Sequence, residues 1–294
     1  MAETTAGQAL VEGARTLEAA GLPTARLDAE RLLGWALGVD RLQIFLEPLR
    51  PVPPEATERF RGALERRRRQ EPIQYILGLE EFHGLLLRTG PGALIPRPET
   101  ELLVEWALEL ERRWGPWGLA VDVGTGNGAI ACALARGIEH LRVLAVERSP
   151  AALALAAANI AALGLVPRVE ILAGDLLEPA AAVAGTVDLV ISNPPYIATA
   201  AICGLPPEVR EWEPHDALDG GPDGMRVHRQ LIARAPRVLK PGGWLLMEMG
   251  EGQAALLSGA MESAGFEAVG VRRDLPGIDR MIAGRVTASE AWVR

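Results

Sequence analysis

A chain of 294 residues that is 49% hydrophobic and carries a formal charge of −8 holds enough apolar side chain for one or two domains with sizeable cores, and too much acid to bind long nucleic acid over its whole surface. The start, Met1–Thr5, lacks the basic and apolar regions of an export signal, no apolar run approaches a membrane span, and the two cysteines, Cys132 and Cys203, have no metal-ligand spacing. These features predict a cytoplasmic protein with reduced structural thiols, no membrane contact and no metal.

Residues 1–72 read as a small helical domain. Leu10, Ala14 and Leu17 mark one helical face, which ends at Gly21-Leu22-Pro23. Thr24 is placed to cap a second helix that stops near Gly38, and Asp40-Arg41-Leu42-Gln43 resembles a capping box for a third. After the prolines of 51–54 a last helix runs to about Gln70. Its end, Arg66-Arg67-Arg68-Arg69, reads either as solvated cations at the negative pole of the helix or as a contact for an acidic partner. Nothing in this segment suits chemistry, so it is expected to recognise a partner. Residues 73–90 read as a linker, with extended pieces at Glu71–Gly78 and Phe82–Arg88 and a β-hairpin between domains. His83 has no partner spacing and is expected to be structural. Pro98 then suits a first helical turn, with Glu99 and Glu101 at its positive end and Leu102, Leu103, Trp106 and Leu110 as its buried face. Arg97 and these acids either line a cleft or simply cap and pair.

Residues 91–294 carry the chemistry. A buried strand enters Gly124-Thr125-Gly126-Asn127-Gly128, and an alanine-rich helix follows. Glycines there let the backbone turn tightly and approach a ligand; the spacing is Gly-x-Gly-x-Gly and not that of a dinucleotide loop. A second strand ends at Glu147, an acid placed to accept from ribose hydroxyls. A third leads to Gly174-Asp175, whose carboxylate can accept from the exocyclic amine of adenine. A fourth, Val187–Ile191, stops at Asn193-Pro194-Pro195-Tyr196. Asn193 offers an amide acceptor and donors, Pro195 has no N–H and so leaves the Pro194 carbonyl for an outside donor, and the Tyr196 ring can lie flat on a planar group. Two acceptors suit the two hydrogens of an –NH2 on a planar group. The motif does not choose between the exocyclic amine of a base and a side-chain amide. A glycine loop, two acids and Asn-Pro-Pro-Tyr on four successive strand tips together fit S-adenosylmethionine, with Asp122, Gly124, Thr125, Gly126, Asn127, Gly128, Glu147, Asp175, Leu176 and Asn193 around it. A helix at 225–238, a turn at Pro241–Gly243, a strand at 244–249, a helix at 252–264 and strands near 266–271 and 279–284 complete a seven-stranded sheet. Glu211, Glu213 and Asp223 fall in a long loop and receive no role.

Several segments resemble the bacterial peptide chain release factor N5-glutamine methyltransferases, the HemK/PrmC family, over nearly the whole chain. They are Gln74–Gly78, Phe82-His83-Gly84, Pro96–Glu101, Asp122–Gly128, Gly174-Asp175 and Asn193–Tyr196, then Glu213-Pro214, Gly220–Gly224, Glu248-Met249-Gly250 and Asp274–Arg280. The resemblance implies an α/β fold: a seven-stranded Rossmann-like methyltransferase domain behind a small helical domain and a β-hairpin. It implies methyl transfer from S-adenosylmethionine, with S-adenosylhomocysteine as product, to the glutamine of the Gly-Gly-Gln motif in class 1 peptide chain release factors. Asn193, Pro194 and Tyr196 would be catalytic, and Asn193–Tyr196 would bind substrate. A monomer without stable nucleic-acid binding is expected. Glu147 stands where aspartate is common, and Leu176 where an aromatic can flank adenine. The competing readings are an adenine N6 methyltransferase of DNA or RNA and a non-catalytic S-adenosylmethionine-binding regulator. In the glutamine reading the Tyr196 ring, stacked on the amide, and not its hydroxyl, is expected to matter.

Overall fold

The computed structural model describes residues 4–287. The outer ends of the expected domains, 1–3 and 288–294, lie outside the described residues, as does most of the segment read as lacking an export signal. Two structural units emerge. One runs up to Leu79 and also takes in Pro206–Trp212; the other comprises Glu80–Leu205 and the chain from Glu213 onward. No helix among the described residues is long and apolar enough to cross a membrane.

The first unit contains α1 (Ala6–Ala19), α2 (Ala25–Leu37), α3 (Arg41–Leu46), α4 (Pro54–Arg68) and α5 (Ile73–Leu77). Leu10, Leu17, Leu32, Leu33 and Phe60 meet in its core. Thr5 and Gln8 form a reciprocal capping box at the start of α1. Asp40 accepts from the Gln43 N–H at 2.9 Å, as its position suggested. Thr24 differs from expectation: its hydroxyl donates to Asp28 Oδ2 at 2.9 Å and leaves the backbone of α2 uncapped by a side chain. Of the four arginines, Arg66, Arg68 and Arg69 are exposed as the solvated reading expects, and Arg67 differs. Arg67 is buried between Asp28 and Glu208, at 2.8 Å from each, Arg66 pairs with Glu71, and Arg68 and Arg69 share Glu65. Each of these cations therefore has an acid within its own unit. Residues 73–77, expected to be extended, form one helical turn closed by Gly78 in the left-handed region (φ 75°). The i, i+3 spacing lets Ile73 and Ile76 both reach the core.

In the second unit, β1 (Leu79–Phe82) and β2 (Leu85–Arg88) form the expected hairpin, turning on His83 and Gly84. Pro98 opens α6 (Pro98–Trp114). There follow β3 (Leu119–Val123), α7 (Ala129–Gly137), β4 (Arg142–Glu147), α8 (Pro150–Ala162), β5 (Val169–Ala173) and β6 (Val187–Ser192). The short α9 (Pro207–Arg210) belongs to the first unit. The chain resumes with α10 (His215–Leu218), α11 (Arg226–Val238), β7 (Leu239–Glu248), α12 (Ala254–Ser263), β8 (Phe266–Arg273) and β9 (Asp279–Val286). The strands form one seven-stranded sheet in the order β5-β4-β3-β6-β7-β9-β8. The first five are parallel; β9 runs antiparallel to both its neighbours, β7 and β8. Both faces are covered: Leu189 and Ile191 of β6 enter one core and Val187 and Val190 the other. That explains why β6 reads as a continuous apolar run. The turn expected at Pro241–Gly243 is instead part of β7, which shifts register opposite Val187 and Leu189. Gly243 permits the bulge, because a Cβ there would lie 2.9 Å from the Val187 carbonyl.

The chain winds outward from β3 through β4 to β5, then returns to β6 on the other side of β3. The carboxyl ends of β3 and β6 thus flank the switch point, where open α/β sheets form a crevice.

Candidate active site

Register brings the expected residues together. Val123 at the tip of β3 pairs with Val146 of β4 and Ser192 of β6; Glu147 pairs with Ala173 of β5; Ser192 pairs with Met247 of β7. The Ser192 hydroxyl donates to the Val123 carbonyl at 2.7 Å and ties the two central tips. The residues that follow these pairs are Gly124, Asn193 and Glu248, side by side on adjacent strands.

The glycine loop turns back at once, with the N–H groups of Gly124 and Thr125 donating to the Val146 carbonyl at 2.9 and 3.0 Å. Gly124, Gly126 and Gly128 have φ of 71°, 59° and 86°. A Cβ on Gly124 or Gly126 would meet nothing within 4 Å, whereas one on Gly128 would press on Ala156 of α8 at 3.4 Å. The first two glycines therefore edge an open cradle, and the third packs the loop against its neighbour helix. Thr125 and Asn127 turn inward: the Thr125 hydroxyl donates to Asp122 Oδ2 at 2.5 Å, and the Asn127 amide donates to the Arg88 carbonyl of β2 at 3.1 Å. Asp122 is wholly buried, accepts a second bond from the Ala131 N–H at 3.1 Å, and has no partner on Oδ1. Burial pushes its carboxyl up to about 7, against the pull of those two bonds. Glu147 is half-buried and held by three backbone donors: Gly126 on one oxygen at 3.0 Å, and Arg148 and Ser149 on the other at 2.8 and 2.9 Å. A carboxylate has about four lone-pair sites, so capacity remains for hydroxyl donors. Asp175 is exposed, and Leu176 is buried with φ 52°. A glycine-edged cradle, a fixed acid on the next tip and a second acid beyond it match the donor and acceptor set of S-adenosylmethionine.

The other side of the switch point is built from side chains. Asn193 Nδ2 donates to Thr100 Oγ1 at 3.0 Å, and the Thr100 hydroxyl donates to Glu248 Oε2 at 2.6 Å. The Tyr196 hydroxyl donates to Glu248 Oε1 at 3.1 Å, and Gln253 Nε2 holds the Tyr196 carbonyl at 3.0 Å. Pro194 is buried and Pro195 half-buried. Burial raises the Glu248 carboxyl above its ordinary range, opposed by its two hydroxyl donors and by the charge of Arg280. The Tyr196 phenol is likewise pushed up, first by burial and then by Glu248. His228, whose ring is kept neutral by burial, donates Nε2–H to the Glu248 carbonyl at 2.8 Å and fixes the end of β7.

The remaining acids take supporting positions. Glu101 accepts from the His83 N–H at 3.1 Å, and His83 Nε2 lies 3.1 Å from Glu105. Buried Glu213 accepts from the Ile95 N–H at 3.1 Å and pairs with Arg97. Asp223 pairs with Arg229 at 2.5 Å, which holds its carboxyl down at about 2. Thr100 and Glu248, like Glu213, are residues that sequence reasoning left without a role. The signal for Glu248 was an acid directly after the apolar run Trp244–Met247, at the end of a strand neighbouring the one that carries Asn193.

Comparison with known proteins places two families on the chain: the PrmC N-terminal domain at residues 8–78 and the methyltransferase small domain at residues 99–203. A release factor glutamine methyltransferase of Geobacter sulfurreducens is 45% identical over 267 residues, 90% of this chain and 91% of that protein. One from Cereibacter sphaeroides is 43% identical over 284 residues, 97% and 99% of the two chains. Among solved structures, a 16S rRNA methyltransferase of T. thermophilus, in complex with AdoMet and guanosine, superposes with a TM-score of 0.51 at 21% identity, over 71% of this chain and 49% of that one. This last likeness is one of fold.

Proposed function

This chain belongs to the release factor glutamine methyltransferase family, and we propose that it moves a methyl group from S-adenosylmethionine to the side-chain amide nitrogen of the glutamine in the Gly-Gly-Gln motif of class 1 peptide chain release factors. S-adenosylhomocysteine is the second product. The observation that carries the reading is the meeting, across one switch point, of a glycine-edged cradle and the Asn193-Pro194-Pro195-Tyr196 tip. In this reading the backbone at Gly124 and Gly126 borders the cofactor, Glu147 accepts from its ribose, Asp175 accepts from its adenine amine, and Leu176 packs beside the base. Asp122, Thr125, Asn127 and Gly128 hold that loop in shape.

S-adenosylmethionine, when bound, supplies an electrophilic methyl carbon on a sulfonium. An amide nitrogen is a weak nucleophile because its lone pair is delocalised into the carbonyl. Asn193 Oδ1 and the Pro194 carbonyl accept the two hydrogens of the glutamine –NH2, push density onto nitrogen and aim its lone pair. The Tyr196 ring keeps the amide planar against it. Positioning of this kind supplies roughly 7–11 kcal/mol in favourable systems. The new N–C bond leaves the nitrogen strongly acidic, and its proton passes to water without a side-chain base.

The helical unit supports partner recognition. Leu42, Phe45, Leu46 and Leu49 are 64%, 48%, 71% and 81% exposed on and just after α3, an apolar display that suits a protein surface. The same reading places the enzyme in the cytoplasm as a monomer, with no stable hold on nucleic acid. Purified protein with tritiated S-adenosylmethionine tests it. Label should enter release factor, not release factor whose motif glutamine is alanine, and not DNA. Label in DNA alone would transfer the enzyme to the adenine class, and no label anywhere would make it a binding protein.

A further inference from the structure

The reaction proposed above needs one end of the Asn193 amide and not the other. The carbonyl end accepts from an –NH2, while the nitrogen end would repel it. The two ends are nearly equal in shape, so packing alone does not distinguish them. Thr100 does not settle the matter by itself, because a hydroxyl both donates and accepts.

Glu248 removes that freedom. Both of its oxygens accept, Oε2 from Thr100 and Oε1 from Tyr196. Its Oε2 takes the single Thr100 proton at 2.6 Å, so Thr100 Oγ1 meets Asn193 as an acceptor and its partner must be Nδ2, at 3.0 Å. The amide oxygen is then on the opposite prong, away from Thr100. The other carboxylate oxygen takes the Tyr196 proton at 3.1 Å, so one buried group orients two residues of the tip. The three parts come from the first turn of α6, the end of β6 and the end of β7, and both Thr100 and Glu248 are buried. Burying a carboxylate is expensive, and an apolar pair would fill the same space at less cost. We propose that Glu248 and Thr100 are positioning residues that fix which end of the Asn193 amide faces the reacting nitrogen. The proposal rests on the reading that Asn193 accepts from the substrate amide.

The test is a double-mutant cycle with Thr100→Val, which keeps the shape and removes the hydroxyl, and Thr100→Ser, which keeps the hydroxyl. Thr100→Val should lower kcat on release factor about 10-fold or more, with a smaller change in KM and the same S-adenosylmethionine affinity by calorimetry. Thr100→Ser should stay within about 2-fold of wild type, the loss of one methyl group leaving the relay intact. In an Asn193→Ala background Thr100→Val should have no further effect, because its whole influence runs through that amide. A loss that adds fully to that of Asn193→Ala overturns the proposal, as does full activity of Thr100→Val. Glu248→Gln, which introduces a donor, should follow Thr100→Val in direction, and wild-type kcat in a folded Glu248→Gln protein also overturns it. A second readout needs no activity. In 15N spectra of the cofactor-free protein, the Asn193 side-chain amide protons should exchange slowly with water, and faster in Thr100→Val; equal exchange overturns the relay. Wild-type protein that leaves release factor unmethylated, or Asn193→Ala as active as wild type, defeats the reading of the reaction instead, and the exchange measurement still decides whether the relay exists.

Discussion

The two sides of the switch point are held by different means. At the glycine loop, proposed to border the cofactor, Glu147 is fixed by the N–H groups of Gly126, Arg148 and Ser149, and the turn of the loop by the Val146 carbonyl. On the reaction side, Asn193, Thr100, Glu248 and Tyr196 hold one another by side chains drawn from distant parts of the chain. Backbone donors are supplied by any residue that adopts the loop, so what fixes Glu147 depends on the shape of the backbone, with Asp122, Thr125 and Asn127 as side-chain ties beneath it. The reaction side depends instead on side chains, because each hydroxyl or carboxyl there has a fixed direction of donation. The difference predicts separable losses: cofactor affinity on one side, turnover on the other.

The largest expected effect comes from Gly126→Val. It puts a branched side chain into the cradle at φ 59°, a backbone region that costs a β-branched residue roughly 1–2 kcal/mol. Calorimetry should show S-adenosylmethionine binding weakened by about 100-fold or more, as expected for blocked backbone approach, while the far-ultraviolet spectrum stays native. Unchanged affinity would break the assignment of this loop. Asn193→Ala comes next. Its kcat on release factor should fall by roughly 100-fold, the usual scale for one lost electrostatic contact at a reacting centre, with cofactor affinity intact. Asn193→Asp should lose nearly as much. It presents a second acceptor to a Thr100 oxygen whose proton is already given to Glu248, and it adds charge near the sulfonium. A near-wild-type Asn193→Ala enzyme would remove the tip from the chemistry. Tyr196→Phe sharpens the contrast. Sequence reasoning makes it mild, since only the ring was expected to matter. The structure commits the hydroxyl to Glu248, so its removal leaves a buried carboxylate oxygen without a donor, a penalty of about 1–3 kcal/mol. A melting temperature lowered by several degrees and kcat reduced about 10-fold are expected; a fully stable, fully active Tyr196→Phe protein would contradict the relay.

The smallest effect on turnover is expected at the buried acid beneath the glycine loop, where the readout is stability. Asp122 carries a folded-state pKa of about 7 against an ordinary 3.8. The folded protein therefore binds this proton more tightly than the unfolded chain does. Its stability falls as pH rises from about 4 to about 7 and levels off above. Asparagine does not titrate, so the melting temperature of Asp122→Asn relative to wild type should climb by on the order of 10 degrees across that window and then stay flat. A difference that is constant from pH 4 to pH 8 would show that Asp122 is ionised throughout.

The same contrast explains what could be read in the sequence. The positions of Gly124–Gly128, Glu147 and Asn193–Tyr196 were legible because each is a short run or a single acid at the end of an apolar strand or directly after it. The sheet and most helices were legible from apolar runs and breakers. Thr100 and Glu248 were not, because their partners are distant in sequence: the register of β6 against β7 sets Asn193 beside Glu248, and the packing of the first turn of α6 brings Thr100 to both. Arg67 misled for a related reason: in a run of four like charges whose other members are solvent-exposed, it looks solvated until Asp28 and Glu208 are brought beside it. Local competition explains the smaller misses. Thr24 found a carboxylate before it found a backbone N–H, and Gly242-Gly243 bent a strand where a turn was expected.

The helical unit includes Pro206–Trp212, although its other residues end at Leu79. During synthesis, its first five helices leave the ribosome roughly 130 residues before that piece, on the order of 10 s at about 5–20 residues per second. For that interval Arg67 has Asp28 but lacks Glu208. The nascent helical unit is therefore left incomplete while the strands of the sheet are still being made. The last contact of the first unit to emerge arrives only after β6 has been translated, so the two units mature on overlapping schedules and not one after the other.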